Sequence, residues 1–465
     1  MIMKVKCLKM EAFRGIGDLT LKFGDTNAIV FIGINGVGKS SILDCLAILL
    51  SQLIGRITRN ENFEPNFNTG INISGENISF HVEGNVHGDV YFYPRGSNQL
   101  SYSQESQLQI LNLNAQDITK GGNKTEVEIT IVSESLTESW SLTQSLEEEI
   151  PNFSDNHIQL NLLIEQINNR WRENPETSIP LAVYYKVNRA VINIPLDSPT
   201  NYSFKQTDAY EQALSGIQIN FNTFFQWFKN LEDLENEKRR DDKNYRNHQL
   251  EAVREAVYSL IPDFSNLRMR HFPLRMTVEK RGEEFTVNQL SDGEKCLLAM
   301  VGDLARRLAI ANPSLPNPLN GEGIVLIDEI ELHLHPKWQR EIIPALNRTF
   351  PSCQFIITTH SPQVISHVEP EGIFILEKTD TGVIAKRPES SFGRDSNRIL
   401  EDLMGVPARP QEIKDTLHQL FQLIEEGNLE DAKKLRQEIV NMIGDDEPEL
   451  VKASVSIRRK EILKR

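Results

Sequence analysis

The chain has 465 residues, 39% hydrophobic and 25% charged, the balance of a globular protein with one large α/β domain carrying insertions, or two to three domains. A formal charge of −15 argues against a surface that binds polyanions all over, though not against a local basic groove. No run approaches the roughly 18–20 apolar residues of a membrane span, the start lacks the pattern of a signal peptide, and Cys7, Cys45, Cys296 and Cys353 are expected as reduced, mostly buried thiols, so the expected location is cytoplasmic.

From the start, Leu19, Leu21 and Phe23 alternate with polar residues, and a short apolar run follows, Ala28-Ile-Val-Phe-Ile32; both patterns predict strands. The loop Gly33-Ile-Asn-Gly-Val-Gly-Lys39-Ser40 comes next, and then an uninterrupted apolar stretch, Ser41 to Leu50, that predicts a helix. Glycines in such a loop let the backbone curl until successive N–H groups face inward as an anion nest. The helix behind it adds the positive end of its dipole. Asn35, Gly36, Val37, Gly38, Lys39, Ser40 and Ser41 are therefore candidate phosphate ligands. Lys39 is expected to reach the β- and γ-phosphates of ATP, and the Ser40 hydroxyl to serve Mg²⁺.

Residues 60–160 are polar, with β-like segments at Ile73–Val82, Asp89–Tyr93 and Glu126–Val132, and predict an antiparallel β subdomain with a loose loop near Gly96–Ser106. A core strand is expected at Leu181–Tyr185. Between 206 and 265 two apolar stripes at helical spacing flank a charged tip: Phe221, Phe224, Phe225, Phe228 and Leu231, then Leu250, Val253, Val257 and Leu260. This predicts a helical hairpin whose aromatic stripe packs into a core. The basic stretches Arg268–Arg281 and Arg458–Arg465 read as solvated faces.

Leu290-Ser-Asp-Gly-Glu-Lys295 opens a long helix, so the Ser291 hydroxyl, the Gly293 N–H and the helix start form a second anion site. Ile324-Val-Leu-Ile-Asp328-Glu329 is a buried strand delivering two acids at its carboxyl end, as in a Walker B motif. Asp328 is expected to hold Mg²⁺ and Glu329 to act as base or positioner for the attacking water. Glu331, His333 and His335 could suggest a metal site, but the stretch from Glu331 to Gln339 resembles the D-loop region of ABC-type ATPases. Phe355-Ile-Ile-Thr-Thr-His360 is an apolar strand ending in histidine. Beyond Ser390 the pattern is helical, with stripes ended at Gly427 and near Gly444 and a third helix start at Pro448.

In this order the motifs resemble ABC-type ATPases of the SMC, Rad50 and RecF branch. The resemblance implies an α/β fold: an ABC-ATPase head, with a P-loop parallel sheet and an antiparallel β subdomain, a helical-hairpin insertion and a C-terminal helical module. The expected segments are 1–205, 206–265, 266–390 and 391–465. It further implies that Ser291, Asp292, Gly293 and Glu294 cover the γ-phosphate of ATP held by an opposite subunit. The heads would then form a homodimer, with room for a higher oligomer. Arg14 would lie near the nucleotide, His360 would be the switch residue touching the γ-phosphate, and Lys39, Glu329 and His360 would carry catalysis. The family's Q-loop glutamine has no secure counterpart; Tyr184-Tyr185 to Arg189 occupies a comparable stretch.

About 250 residues separate Lys39 from Ser291, more than transporter motors carry, and the short hairpin cannot be the coiled-coil arm of a true SMC protein. An OLD-type nuclease would need an Asp-x-Asp pair after the ATPase, which the tail lacks. The hairpin (Phe225-Gln-Trp-Phe228, Glu235-Asn-Glu237, Tyr245-Arg246) and the tail from Phe392 to Gly405 resemble compact defence-associated ATPases, closest to the PtuA family of bacterial Septu antiphage systems, also found beside retrons. That resemblance implies an HNH nuclease (PtuB-like) as partner and, in retron settings, a reverse transcriptase with its RNA–DNA product. A DNA-repair or DNA-maintenance ATPase of the RecF or SMC kind is the alternative, and nucleic acid is a further ligand under either reading.

Overall fold

The computed structural model describes residues 3–59, 80–84, 90–94, 110–133, 136–147, 152–153, 157–187, 189 and 205–463. The loop expected near Gly96–Ser106, and the strand expected at Ile73–Val82 up to residue 79, lie outside the described residues. The centre is a six-stranded sheet in the order Gly382–Lys386, Ile373–Thr379, Ala28–Ile32, Cys353–Thr358, Gly323–Ile327, Leu181–Tyr185. Only the first pair is antiparallel. Every residue of Ala28–Ile32, Gly323–Ile327, Cys353–Thr358 and Leu181–Tyr185 is buried. That explains why these strands read as continuous apolar runs, the mark of parallel strands covered on both faces.

A second, antiparallel sheet runs Leu19–Lys22, Lys4–Glu11, Lys124–Ser133, Leu136–Ser145, Asn152–Phe153. It is pinned to the central sheet by the fully buried Gln354, whose amide accepts from Val5 N–H at 2.8 Å and donates to Val5 C=O at 3.0 Å. The helix Lys39–Arg59 packs between the two sheets, and the Trp140 indole donates to its Leu49 carbonyl at 3.0 Å. Its stretch Lys39–Ile57 is long and apolar enough to span a membrane, which corrects the expectation that no such run exists. Covering by sheet on both sides accounts for an apolar surface all round.

Adjacent strand residues point to opposite faces. Tyr184 lies beside Asp44 of this helix, whereas Tyr185 donates to Asp303 of the helix Asp292–Ala311 at 2.9 Å. The two long helices therefore cover opposite faces of the strand Leu181–Tyr185. On the second helix sits the hairpin of Phe221–Lys238 and His248–Leu260, its aromatic stripe buried. A Cβ at Gly302 would stand 2.9 Å from the Phe224 ring, so glycine there lets the helices close up. Helices Gln411–Glu426, Leu429–Ile443 and Pro448–Leu463 gather around a separate small core of Leu417, Leu420, Ile424, Ala432, Ile439 and Leu450.

Candidate functional site

Four parallel strands end at one edge of the central sheet: Phe31 is level with Thr358, Ile357 with Ile327, and Ile327 with Tyr185. Ligands of open α/β sheets bind at such carboxyl-end edges. The phosphate loop turns here, with Gly33, Gly36 and Gly38 at φ of 150°, 76° and 112°. At Gly33 a Cβ would also lie 2.6 Å from the Leu376 carbonyl, so both backbone angle and space demand glycine. Asn35, Gly36 and Ser40 are exposed, Ser41 is half-buried and Val37 is buried. The Lys39 ammonium donates to the Gly33 and Ile34 carbonyls at 2.9 and 3.1 Å. Burial lowers its proton affinity, opposed by the carboxylates of Asp328, Glu329 and Glu331.

The acid pair follows the strand Gly323–Ile327. Asp328 is 4% exposed, and its Oδ1 accepts from the Thr358 hydroxyl at 2.5 Å. The same hydroxyl oxygen accepts from Glu329 N–H at 2.8 Å. Glu329 has φ of 47°, a left-handed conformation uncommon outside glycine. It is held there by Thr358 on one side and by Arg189 on the other, whose buried guanidinium donates to the Asp328 and Glu329 carbonyls. Arg189 had no defined role on sequence grounds, because its partners are backbone atoms about 140 positions away.

Two residues on, the Glu331 carboxylate receives the Thr359 hydroxyl at 2.7 Å and the His360 N–H at 2.6 Å. Ser361, next to it, donates to Gln339 at 2.7 Å, and Gln339 donates to the Leu334 carbonyl at 2.8 Å. The turn after Asp328-Glu329 is therefore laced to the loop carrying His360. Among the described residues no group of three His, Cys, Asp or Glu side chains could hold a metal ion, and Glu331 faces His360 rather than His333 and His335.

Ser291 caps the helix Asp292–Ala311 in a reciprocal box: its oxygen accepts from Glu294 N–H at 3.4 Å, and Glu294 accepts from Ser291 N–H at 3.0 Å and its hydroxyl at 2.7 Å. Burial works to raise the Glu294 pKa, but Lys280 at 2.6 Å and Ser291 hold it below the ordinary carboxyl value. Ser291 and Asp292 are exposed. A Cβ on Gly293 would lie 2.3 Å from the His333 carbonyl, so the loop is pressed against the turn after the acid pair. Among the described residues no hydrogen bond or ion pair joins Ser291–Glu294 to Gly33–Ser40 of the same chain.

Arg14, left-handed at φ of 45°, is bound to Asp44, one turn into the loop helix, at 2.5 Å and to Asp117 at 2.7 Å. Lys186 reaches the same Asp44 at 3.1 Å. The structure thus gathers Lys39, Asp328, Glu329, Glu331 and His360 at one edge, sets Arg14 against the loop helix, and leaves the Ser291 loop tied to the turn at His333.

A glycine phosphate loop, and an acid pair one strand removed from it, define a P-loop nucleoside triphosphatase. Residues 28–366 match the family model described as "AAA domain, putative AbiEii toxin, Type IV TA system". The chain is 30% identical to "Retron Ec83 probable ATPase" of Escherichia coli, covering 98% of this chain and 87% of that one. It is 29% identical to "Retron Vc95 probable ATPase" of Vibrio cholerae serotype O1 biovar El Tor, over 93% and 86%. It is 27% identical to "Septu protein PtuA" of Bacillus mycoides, over 34% and 22%. The SMC head domain from Thermotoga maritima superposes with a TM-score of 0.40 at 13% identity, over 83% of this chain and 99% of that one. The chain belongs to the AAA-domain ATPase family of this model and is a relative of the retron ATPases.

Proposed function

We propose that this ATPase is the nucleotide-gated sensor and scaffold of a bacterial antiphage defence system, pairing head to tail around ATP and restraining an HNH nuclease. The observation that carries the pairing is that Ser291 and Asp292 form an exposed, capped loop which, among the described residues, makes no hydrogen bond or ion pair to the phosphate loop of its own chain. The likeness to retron ATPases over 98% of the chain supports the defence setting.

In this reading Lys39 neutralises the β- and γ-phosphates within the glycine nest. Ser40 and Asp328 offer hydroxyl and carboxylate oxygens, a donor set suited to Mg²⁺, and Asp328 Oδ2 is engaged by no hydrogen bond among the described residues. Mg²⁺, when bound, supplies positive charge against the phosphate oxygens. Glu329 orients the attacking water and accepts its proton, and His360 contacts the γ-phosphate. The Ser291–Glu294 loop of the opposite subunit closes the site, so ATP acts as a clamp and hydrolysis as its release.

Co-expression with an HNH nuclease of the PtuB kind tests the proposal. A complex of fixed stoichiometry with a silent nuclease is expected, with Lys39→Ala altering its assembly or release. No complex, together with DNA-stimulated hydrolysis and trapping of Glu329→Gln on DNA, would instead establish the DNA-maintenance alternative.

A further inference from the structure

Glu331 lies outside the phosphate loop and the acid pair, yet it bridges the turn after the acid pair to the loop carrying His360. Its two carboxylate oxygens divide their partners: one takes the Thr359 hydroxyl at 2.7 Å, the other the His360 N–H at 2.6 Å. Hydrogen bonds to an ionised acceptor are about twice as strong as neutral ones. Thr359 is fully buried and donates its hydroxyl to nothing else among the described residues, so its rotamer is fixed by this contact.

Glu331 is also rigid at its own end. Ile330 N–H donates to the Thr358 carbonyl at 3.1 Å, Leu332 N–H to the Glu329 carbonyl at 3.0 Å, and Leu334 N–H to the Glu331 carbonyl at 2.9 Å. A shift of Glu329 therefore travels through a tight turn to Glu331, and from there to the backbone of His360. We infer that Glu331 is a positioning residue for ATP hydrolysis, a latch that fixes His360 relative to Glu329. It touches no substrate; it acts through the histidine. This rests on the reading of His360 as the residue facing the γ-phosphate.

A double-mutant cycle on the full chain tests it, with kcat read from phosphate release and ATP Kd from a fluorescent nucleotide. His360→Ala alone checks the underlying reading: unchanged kcat would remove it, and the latch with it. Given a loss there, Glu331→Ala is expected to lower kcat by about 10–100-fold with Kd held within about twofold. In the His360→Ala background it should cost almost nothing more. Glu331→Gln, which keeps one acceptor, should restore part of the rate. Thr359→Val, which removes one donor at nearly constant volume, should show the same pattern more weakly. Losses that multiply across the cycle, or a Kd that worsens in step with kcat, would overturn the latch while leaving the role of His360 intact.

Discussion

Lys39 and Glu329 stand about 290 residues apart in sequence, yet Lys39 sits within the electrostatic reach of Glu329. Under the proposed function they divide the work differently. Lys39 would hold phosphate in ground and transition states alike, so Lys39→Ala should weaken ATP binding by at least about 10-fold in a nucleotide titration. Glu329→Gln keeps shape and removes the proton acceptor, so kcat should fall by about 10²–10³-fold with ATP still bound. Glu294 gives a pH test. Its carboxyl is held below its ordinary value by Lys280 and Ser291 against the pull of burial. Its stabilisation is thus complete above the unfolded value and disappears as pH falls through the lower folded one. The melting temperature of the native chain should exceed that of Glu294→Gln most at neutral pH, and the gap should close in acid, as pH falls below the ordinary carboxyl range. At this scale the glycines, Lys39, Asp328 and Glu329 were legible, because local spacing dictates a turn and a strand end. Arg189 and Glu331 were not: each acts by side chain on backbone of a distant segment, which leaves no periodic trace.

The helix Asp292–Ala311 joins the Ser291 loop to the interior by a buried ion cluster. Asp303 accepts from Arg306 at 2.9 Å, from Arg307 at 2.7 Å and from Tyr185 at 2.9 Å. Burial would raise its pKa, but Arg307 and Arg306 bring it down to about 2. Removing one charge of such a group leaves the others buried without it, a cost of about 3–5 kcal/mol. Asp303→Asn should therefore lower the urea midpoint substantially, whereas substitution of the exposed Asp292 should leave it almost unmoved. On the same helix, Gly302 admits the Phe224 ring, and Phe224→Ala should cost about 3–5 kcal/mol in the same assay. The hairpin could be read from its two stripes. The ion pairs that close it, Arg254 with Glu232 at 2.7 Å and Glu235 at 3.2 Å, could not, since charged residues on a helix look solvated until the fold buries them.

Across the whole molecule, the strand order of the central sheet lay beyond sequence pattern. Each buried strand is apolar throughout, and nothing local says that Cys353–Thr358 inserts between the loop strand and the acid-pair strand. The helix itself was legible from Ser41 to Leu50, but not its reach to Ile57 as one long apolar run, a character that reflects two covering sheets. The proposed pairing is testable here. With ATP, Glu329→Gln should elute as a dimer, and Ser291→Arg, which places bulk and charge on the exposed cap, should remain monomeric while binding ATP with similar affinity.

Gly293 has no Cβ to hold its loop away from the turn beside it. Its backbone touches His333, which belongs to the turn that begins at its own chain's Glu329. In the proposed pair, the same glycine also faces the nucleotide of the neighbour. Each protomer would then sense the other's γ-phosphate with the segment that sets its own water-activating acid. Two such sensors facing each other form a closed circuit, in which one exhausted site withdraws support from the other. Paired heads wired in this way release together, and the output of the assembly is a single event rather than two.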